Sequence, residues 1–243
     1  MSELKLYKEL KATGVEWLTE VPQHWSVQPA TTISHVLTST VDKKSYEGEF
    51  PVRLCNYTDV YYNDVITDDP EFMKATATAA QIAQFTPRAG DVPITKDSET
   101  SDDIGIPAYV PQDLPGVVYG YHLAIYRPWD IRFGRFLKYL FDSRYVKVTF
   151  ENKTPGVTRV GLSQNTMKYL RIPVPPVEEA VEIADYLDHE TAEIDAAISD
   201  AEKAIVLSQE RRAALISAAV TGKIDLRNWR GSTERVLEAH GVA

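Results

Sequence analysis

Residues 187–219 read LDHETAEIDAAISDAEKAIVLSQERRAALISAA, and this stretch decides the fold of the C-terminal part of the chain. A seam of mostly small or apolar residues recurs there in steps that alternate between four and three positions. The seam consists of Leu187, Thr191, Ile194, Ile198, Ala201, Ile205, Ser208, Arg212, Leu215 and Ala219. A repeat of about 3.5 residues, sustained over several heptads, is typical of a coiled-coil helix. The residues predicted to form its helix–helix contact are Leu187, Ile194, Ile198, Ala201, Ile205, Arg212 and Leu215.

The flanking residues predict a single helix over residues 177–221. Pro175-Pro176 cannot continue a preceding helix but suits the start of a new one. Acidic residues fill the first turns, where the helix dipole favours negative charge, and Gly222 is a natural stop. A helix of this length spans on the order of 65 Å at 1.5 Å per residue.

No other segment of the sequence offers an equal partner for this seam. A lone amphipathic helix would leave its apolar stripe in water, which is unfavourable. We therefore expect a second chain, most simply a second copy, to bury the seam. The alternative is a helix laid across its own globular domain. A domain of about 150 residues is only about 35–40 Å across, which is too short to cover the whole stripe.

Residues 26–176 alternate short strand patterns with helical ones, between turns rich in Gly, Pro and Asp. The predicted strands are Val52–Leu54, Val92–Thr95, Val117–Tyr121, Leu123–Tyr126 and Tyr169–Ile172, and the predicted helices are Phe72–Phe85 and Phe133–Tyr145. The fold class is therefore α/β (α+β), with one long coiled-coil helix after the globular domain. Residues 1–25 form a lead-in to this domain, and residues 222–243 form a C-terminal tail.

The charge of the chain is unevenly distributed. The net charge is −9, which by itself argues against a nucleic-acid partner. However, residues 120–171 carry 10 basic and 3 acidic side chains, whereas residues 177–221 carry 3 basic and 11 acidic ones. Salt screens charges beyond roughly 8–10 Å, so the local basic block rather than the net charge governs attraction to phosphate.

The remaining composition predicts a cytoplasmic protein. Cys55 is the only cysteine, so neither a disulfide framework nor a cysteine-based zinc site can form within one chain. The N-terminus does not resemble a signal peptide, and no apolar run is long enough to cross a membrane.

Three motifs, in order along the chain, resemble those of specificity subunits of type I restriction-modification systems. Gly14-Val15-Glu16-Trp17-Leu18 followed by Val21-Pro22-Gln23-His24-Trp25 resembles their opening signature. Residues 90–97, GDVPITKD, resemble a strand and loop inside their target-recognition domains. Residues 172–176, IPVPP, with the long helix and its end at residues 218–225, AAVTGKID, resemble their helical region.

The resemblance implies a half-length subunit, since family members typically hold two recognition domains and two helical regions. Two copies would mimic one full subunit by antiparallel pairing of their helices. The implied partners are double-stranded DNA, a second copy of the chain, methyltransferase subunits and, through them, restriction subunits. The implied target is an interrupted palindrome.

Base reading requires side chains that reach base edges, while lysines and arginines hold the register on phosphates. The candidate loops are residues 56–62, 96–100 and 156–159, with two amides following the last. The candidate DNA contacts are Asn56, Tyr57, Tyr61, Lys96, Arg127, Arg132, Arg135, Lys138, Thr158, Arg159, Gln164 and Asn165. Each has a structural alternative: the tyrosines could be core residues, Asn56 could cap a turn, and the basic face of the helix after residue 132 could be solvated surface.

No catalytic group, metal site or cofactor is predicted, so the protein is not expected to be an enzyme. The five histidines are scattered, and the motifs of methyl transfer are missing. Asp91 and Lys96 resemble the carboxylate–lysine pair of nucleases, but such a site also needs a second carboxylate and a metal. A second functional class stays open: an assembly or regulatory fragment that binds the partner subunits without reading DNA.

Overall fold

The computed structural model describes residues 6–68, 71–100, 103–154, 160–227 and 229. The chain divides into an N-terminal unit, Met1–Leu187, and a C-terminal unit, Asp188–Ala243. The strands of the described residues are β1 (Leu10–Val15), β2 (Leu18–Pro22), β3 (Ser26–Pro29), β4 (Ser34–Thr38), β5 (Phe50–Cys55), β6 (Met73–Ala77), β7 (Val92–Thr95), β8 (Asp97–Ser98), β9 (Val117–Tyr119), β10 (Leu123–Pro128), β11 (Val160–Gly161) and β12 (Arg171–Val174). The helices are α1 (Tyr57–Tyr61), α2 (Ala79–Phe85), α3 (Phe133–Asp142), α4 (Arg144–Lys153), α5 (Gln164–Lys168) and α6 (Val177–Val220), with a short 3₁₀ helix at Ala30–Thr32.

The antiparallel sheet β4-β10-β7 separates two hydrophobic cores of the N-terminal unit. Side chains of a strand alternate between the faces of its sheet. Accordingly, Ala124 and Tyr126 of β10 enter the core beneath α3 and α4, while Leu123 and Ile125 enter the other core. All four are fully buried, which stabilises the unit by about 1.5–3 kcal/mol for each large side chain. The apolar run predicted as a strand is thus the middle of a sheet that is covered on both faces.

A second sheet, β6-β5-β9, pairs β5 antiparallel to β6 and parallel to β9. The pairing of β6 in this sheet shows that the first half of the predicted helix Phe72–Phe85 is wrong. Met73–Ala77 is a strand in which Ala75 and Ala77 are buried at alternate positions, because this segment hydrogen-bonds along β5. Only Ala79–Phe85 is helical, and Thr78 caps it by accepting from the Gln81 backbone N–H.

Two consecutive helices, α3 and α4, replace the single predicted helix Phe133–Tyr145. The first ends at Asp142, and Ser143 then caps α4 by accepting from the Val146 N–H. The predicted apolar face is confirmed: Phe136, Leu137 and Leu140 are buried, and Phe133 packs against the same core.

The lead-in forms a hairpin of β1 and β2, after which β3 pairs with β12. The latter strand covers Arg171–Val174 rather than Tyr169–Ile172, since Tyr169 still closes α5. The start of α6 meets the lead-in directly: the Glu179 carboxylate accepts hydrogen bonds from Tyr7 and from His24, the latter at 2.8 Å. Ala180 and Ala184 are fully buried, so this first part of α6 belongs to the packed unit.

The C-terminal unit contains the remainder of α6, and the predicted helix 177–221 is confirmed as Val177–Val220. Its seam residues Ile194, Ile198, Ile205 and Leu215 are each between 51% and 57% exposed. None of the described helices combines the length and the apolar composition that a membrane span requires.

Candidate nucleic-acid interface

The pairing of β7 with β10 brings together two residues that lie far apart in the sequence. Thr95 is paired with Leu123, and the next backbone contact joins the Lys96 N–H to the His122 carbonyl at 3.0 Å. The loop after β7 therefore emerges beside the residues that precede β10. Asp97, in β8, reaches the His122 ring from there.

Helix α1 holds two stacked tyrosines against this loop. Asn56 precedes the helix as its N-cap, and its backbone N–H donates to Asp59 at 2.6 Å. The Tyr57 and Tyr61 rings stack with centroids 5.4 Å apart. The Tyr61 hydroxyl donates to Asp103 at 2.7 Å, and this hydrogen bond, with a smaller effect of burial, raises the pKa of Tyr61 to about 12. Two of the three predicted reading loops thus converge.

A cavity of about 640 Å³ lies between them. It is lined by Lys43, Asn56, Tyr57, Thr58, Tyr61, Tyr62, Asp97, Ser98, Glu99, Asp103 and His122. The lining combines aromatic faces with hydrogen-bonding groups, and it is acidic apart from Lys43 and His122. Both predicted tyrosines are partly exposed in it rather than members of the core.

Lys96 and His122 share one carboxylate oxygen in this lining. The Asp97 Oδ2 atom lies 2.5 Å from Lys96 Nζ and 3.0 Å from His122 Nδ1. Burial alone would raise the pKa of Asp97, but the hydrogen bonds from Lys96 and His122 outweigh it and lower the pKa. Lys96 is therefore held beside the cavity by an ion pair.

A second, smaller groove of about 220 Å³ contains the predicted residue Gln164. The Gln164 amide donates to the Thr38 hydroxyl at 3.2 Å, and Asn165 beside it is exposed. His35, Gln84 and Lys168 contribute further polar groups to this groove, and none of them was predicted. Residues 38–43 lead along the chain from this groove to Lys43 in the cavity.

Arg127 points into the protein rather than towards a ligand. Its guanidinium donates to both carboxylate oxygens of Asp91, at 2.8 and 2.7 Å, and to the carbonyls of Gln84 and Thr86. Asp91 is fully buried and also accepts from Tyr119. Burial alone would lower the pKa of Arg127, but Asp91 outweighs it and raises the pKa. Asp91 and Lys96, the pair considered for a nuclease, therefore each contact another group: Asp91 contacts Arg127, and Lys96 contacts Asp97.

The predicted basic residues at α3 take part in ion pairs. Arg132 contacts Asp130 at 2.7 Å and Glu178 at 3.5 Å, and Arg135 contacts Asp185 at 2.6 Å. Lys138 contacts Asp64 and Asp142 at 3.0 and 2.9 Å. To reach a phosphate, each would have to exchange a carboxylate for it.

Two of the predicted DNA contacts, Thr158 and Arg159, lie outside the described residues, and their roles stay predictions. No group of three or more His, Cys, Asp or Glu side chains in the described ranges is placed to hold a metal ion. His122 and Asp103 were not predicted as site residues from the sequence. Only the pairing of β7 with β10 and the position of α1 bring them to one cavity.

Residues 54–202 match the family model of the type I restriction modification DNA specificity domain. The specificity subunit of the type I restriction enzyme EcoKI from Escherichia coli (strain K12) is 22% identical over 216 residues, which cover 87% of this chain and 45% of that protein. The chain spans less than half the length of this relative.

Solved structures share the fold. A chain from a study of complex assembly and conformational transition of the type I R-M system superposes with a TM-score of 0.62 at 18% identity, covering 86% of this chain and 48% of that one. The HsdS subunit from Thermoanaerobacter tengcongensis gives a TM-score of 0.50 at 16% identity, covering 77% and 41%. The predicted fold class, a mixed domain followed by a long helix, is confirmed. Since the specificity-domain model matches more than half of its residues, the chain belongs to the type I restriction-modification DNA specificity family.

Proposed function

We propose that the N-terminal unit reads a short sequence of double-stranded DNA through the cavity between α1 and the loop after β7, together with the groove beside α5. The observation that carries this proposal is the convergence of two predicted reading loops, Asn56–Tyr62 and Lys96–Thr100, around one cavity. Both loops fall within the part of the chain that matches the specificity-domain model.

The side chains of this surface suit base edges better than phosphates. Asn and Gln amides pair with adenine, and carboxylates accept from the amine of cytosine. Asn56 lines the cavity and Gln164 lines the groove. Glu99 and Asp103 in the cavity would repel a phosphate, so phosphate contacts fall to cations at the margins, such as Lys43 and Lys168. Arg127 is left out of the proposed contacts, because all of its observed hydrogen bonds stay within the protein.

The C-terminal unit is proposed to bind the same segment of a second copy. Exposed isoleucines repeat along the seam, and a partner helix would remove them from water. The charges favour an antiparallel arrangement. Residues 188–202 carry 6 acidic side chains and no Lys or Arg, whereas residues 203–227 carry 5 basic and 2 acidic ones. Antiparallel copies place the acidic half against the basic half, and parallel copies would place like charges together.

Such a dimer would present two identical reading units to one duplex. The two-fold axis requires both units to contact the same bases on opposite strands, so the target is an interrupted palindrome. In this proposal the chain itself performs no chemistry. Methyl transfer belongs to methyltransferase subunits that bind the paired helices, and cleavage belongs to restriction subunits that join through them.

Co-expression with the methyltransferase subunits of a type I system tests this function. The chain should copurify with them, and the complex should protect one defined, interrupted site in a footprinting experiment. A variant with Asn56→Ala and Gln164→Ala should still copurify but protect DNA poorly, while the control Thr19→Ala, at an exposed position of β2, should behave as the wild type. A complex that forms but protects DNA without sequence preference would contradict the proposal and favour an assembly fragment.

A further inference from the structure

His122 is a cavity residue for which the fold provides an unusually well-defined position. Its side chain is only 14% exposed, and its backbone carbonyl accepts from Lys96. The neighbouring Tyr121 ring lies against the imidazole, with centroids 3.8 Å apart. The ring is therefore fixed by backbone pairing and by packing before any ligand binds.

Asp97 determines which nitrogen of His122 is available. The carboxylate accepts from Nδ1 at 3.0 Å, so in the neutral imidazole Nδ1 carries the proton and Nε2 is the ring nitrogen that can accept from a ligand. Asp97 is itself constrained, because it pairs with Gly161 of β11. A Cβ atom at Gly161 would lie 3.0 Å from Asp97 Oδ1, so the absence of a side chain there lets the two strands approach.

The other lining groups indicate what Nε2 would meet. Glu99 and Asp103 are carboxylates, and Asp97 adds a third, so the cavity is rich in hydrogen-bond acceptors. Lys43 lines the cavity as a cation, and Lys96 neutralises part of Asp97. A ligand group that meets these carboxylates must donate hydrogen bonds. In the major groove, the groups that only donate are the exocyclic amines of cytosine and adenine.

We infer that His122 is a specificity-determining residue whose Nε2 accepts a hydrogen bond from an exocyclic base amine, with Asp97 as the positioning residue that fixes its orientation. This inference rests on the proposed function and names the base chemistry that the cavity selects. It predicts that each half-site contains a cytosine or an adenine whose amine the protein requires.

The experiment uses the full chain with its methyltransferase subunits and a duplex carrying the motif mapped for the wild type. At each position of one half-site, adenine is replaced by purine or cytosine by pyrimidin-2-one, both of which lack the amine. Wild-type affinity should fall about three- to tenfold at each position whose amine is contacted, the loss expected for one hydrogen bond. His122→Leu should bind the intact motif more weakly by a similar factor and show no further loss at one of these positions, which is the result of a double-mutant cycle for a direct contact.

Two further variants separate contact from folding. His122→Gln keeps an acceptor oxygen and should retain part of the discrimination that His122→Leu loses. Gly161→Ala, which displaces Asp97, should weaken discrimination at the same position and leave binding to non-target DNA unchanged. The control Thr19→Ala, an exposed position of β2 outside the proposed contacts, should leave every affinity unchanged.

The outcomes distinguish this inference from the function on which it depends. If His122→Leu loses affinity at every amine-deleted position as the wild type does, the inference is wrong although the protein reads DNA. If the wild type shows no sequence preference, the proposed function fails and the inference fails with it. The purine and pyrimidin-2-one duplexes decide between adenine and cytosine.

Discussion

The two units of this chain differ in whether their interacting side chains contact partners within the chain. In the N-terminal unit, Arg127 forms an ion pair with the buried carboxylate of Asp91, and Arg135 forms one with Asp185. In the C-terminal unit, apolar side chains such as Ile194 and Ile205 stand more than half exposed along one continuous helix. These charged groups of the first unit are paired within one chain, whereas the second unit has an apolar surface that a further helix would cover. Changes in one unit should therefore leave the property of the other intact.

The largest effect is expected from Ile194→Asp, Ile198→Asp and Ile205→Asp combined. Three charges in the seam would have to be buried against a partner helix, which is too costly for the dimer to persist. Light scattering should show a monomer, with the circular dichroism of the N-terminal unit retained. Ala196→Asp with Ser217→Asp, on the opposite face of the heptad, is the control and should remain dimeric. A dimeric mass for the triple variant would remove the coiled-coil assignment.

Arg127→Met should destabilise the N-terminal unit and leave the dimerisation of the C-terminal unit unchanged. It leaves the Asp91 carboxylate buried and unpaired, which costs roughly 3–5 kcal/mol of the free energy of unfolding. Urea denaturation measures this loss. The exposed pair of Arg132 with Asp130 provides the contrast, since solvent screens this pair and Arg132→Met should cost much less than Arg127→Met. Equal losses in both variants would show that the internal role given to Arg127 is wrong.

Deletion of residues 195–201, one heptad, should change the spacing of the target and not its bases. Each helix loses roughly 10 Å of rise at 1.5 Å per residue. If the reading units keep their orientation, the unread spacer should shorten by up to about 3 base pairs, at 3.4 Å per base pair. Mapping of methylated sites for the deletion variant checks this. An unchanged spacer would indicate that the helices do not set the distance.

The smallest effect is expected from Arg135→Ala. If Arg135 exchanges Asp185 for a phosphate on binding, its loss should weaken all DNA sequences alike and reduce the slope of affinity against salt concentration by about 1. Fluorescence anisotropy at several salt concentrations measures both quantities. Unchanged affinity and slope would mean that Arg135 serves only its ion pair with Asp185.

The pattern of apolar residues made the long helix and the central strand predictable. The seam of α6 repeats over several heptads, and the run Leu123–Tyr126 has no polar interruption. Met73–Ala77 carried no such signal, because alanine and threonine fit a helix or a strand and only pairing with β5 decides between them. Helix α4 was missed for a related reason: only Ser143 separates it from α3, and only Val146 and Phe150 are buried in it.

The loops that form the candidate site were partly predictable from the sequence, but the contacts between their side chains were not. Tyrosines and an amide in a turn-rich segment marked Asn56–Tyr62, and the resemblance of residues 90–97 to a loop of recognition domains marked Lys96–Thr100. The partner of each charge depended on tertiary structure. Arg127 and Asp91 lie 36 positions apart, and Asp97 and His122 lie 25 apart. The sequence alone does not reveal whether a basic residue already forms an ion pair with a carboxylate elsewhere in the chain.

Genome-wide detection of methylated bases tests the central claim most directly, in a host that carries the methyltransferase subunits with and without this gene. Two identical reading units joined by antiparallel helices predict one new motif: an interrupted palindrome with a spacer of constant length, absent without the gene. An asymmetric motif would contradict the homodimer and indicate pairing with a different specificity chain. The absence of any motif that depends on the gene would contradict sequence reading itself.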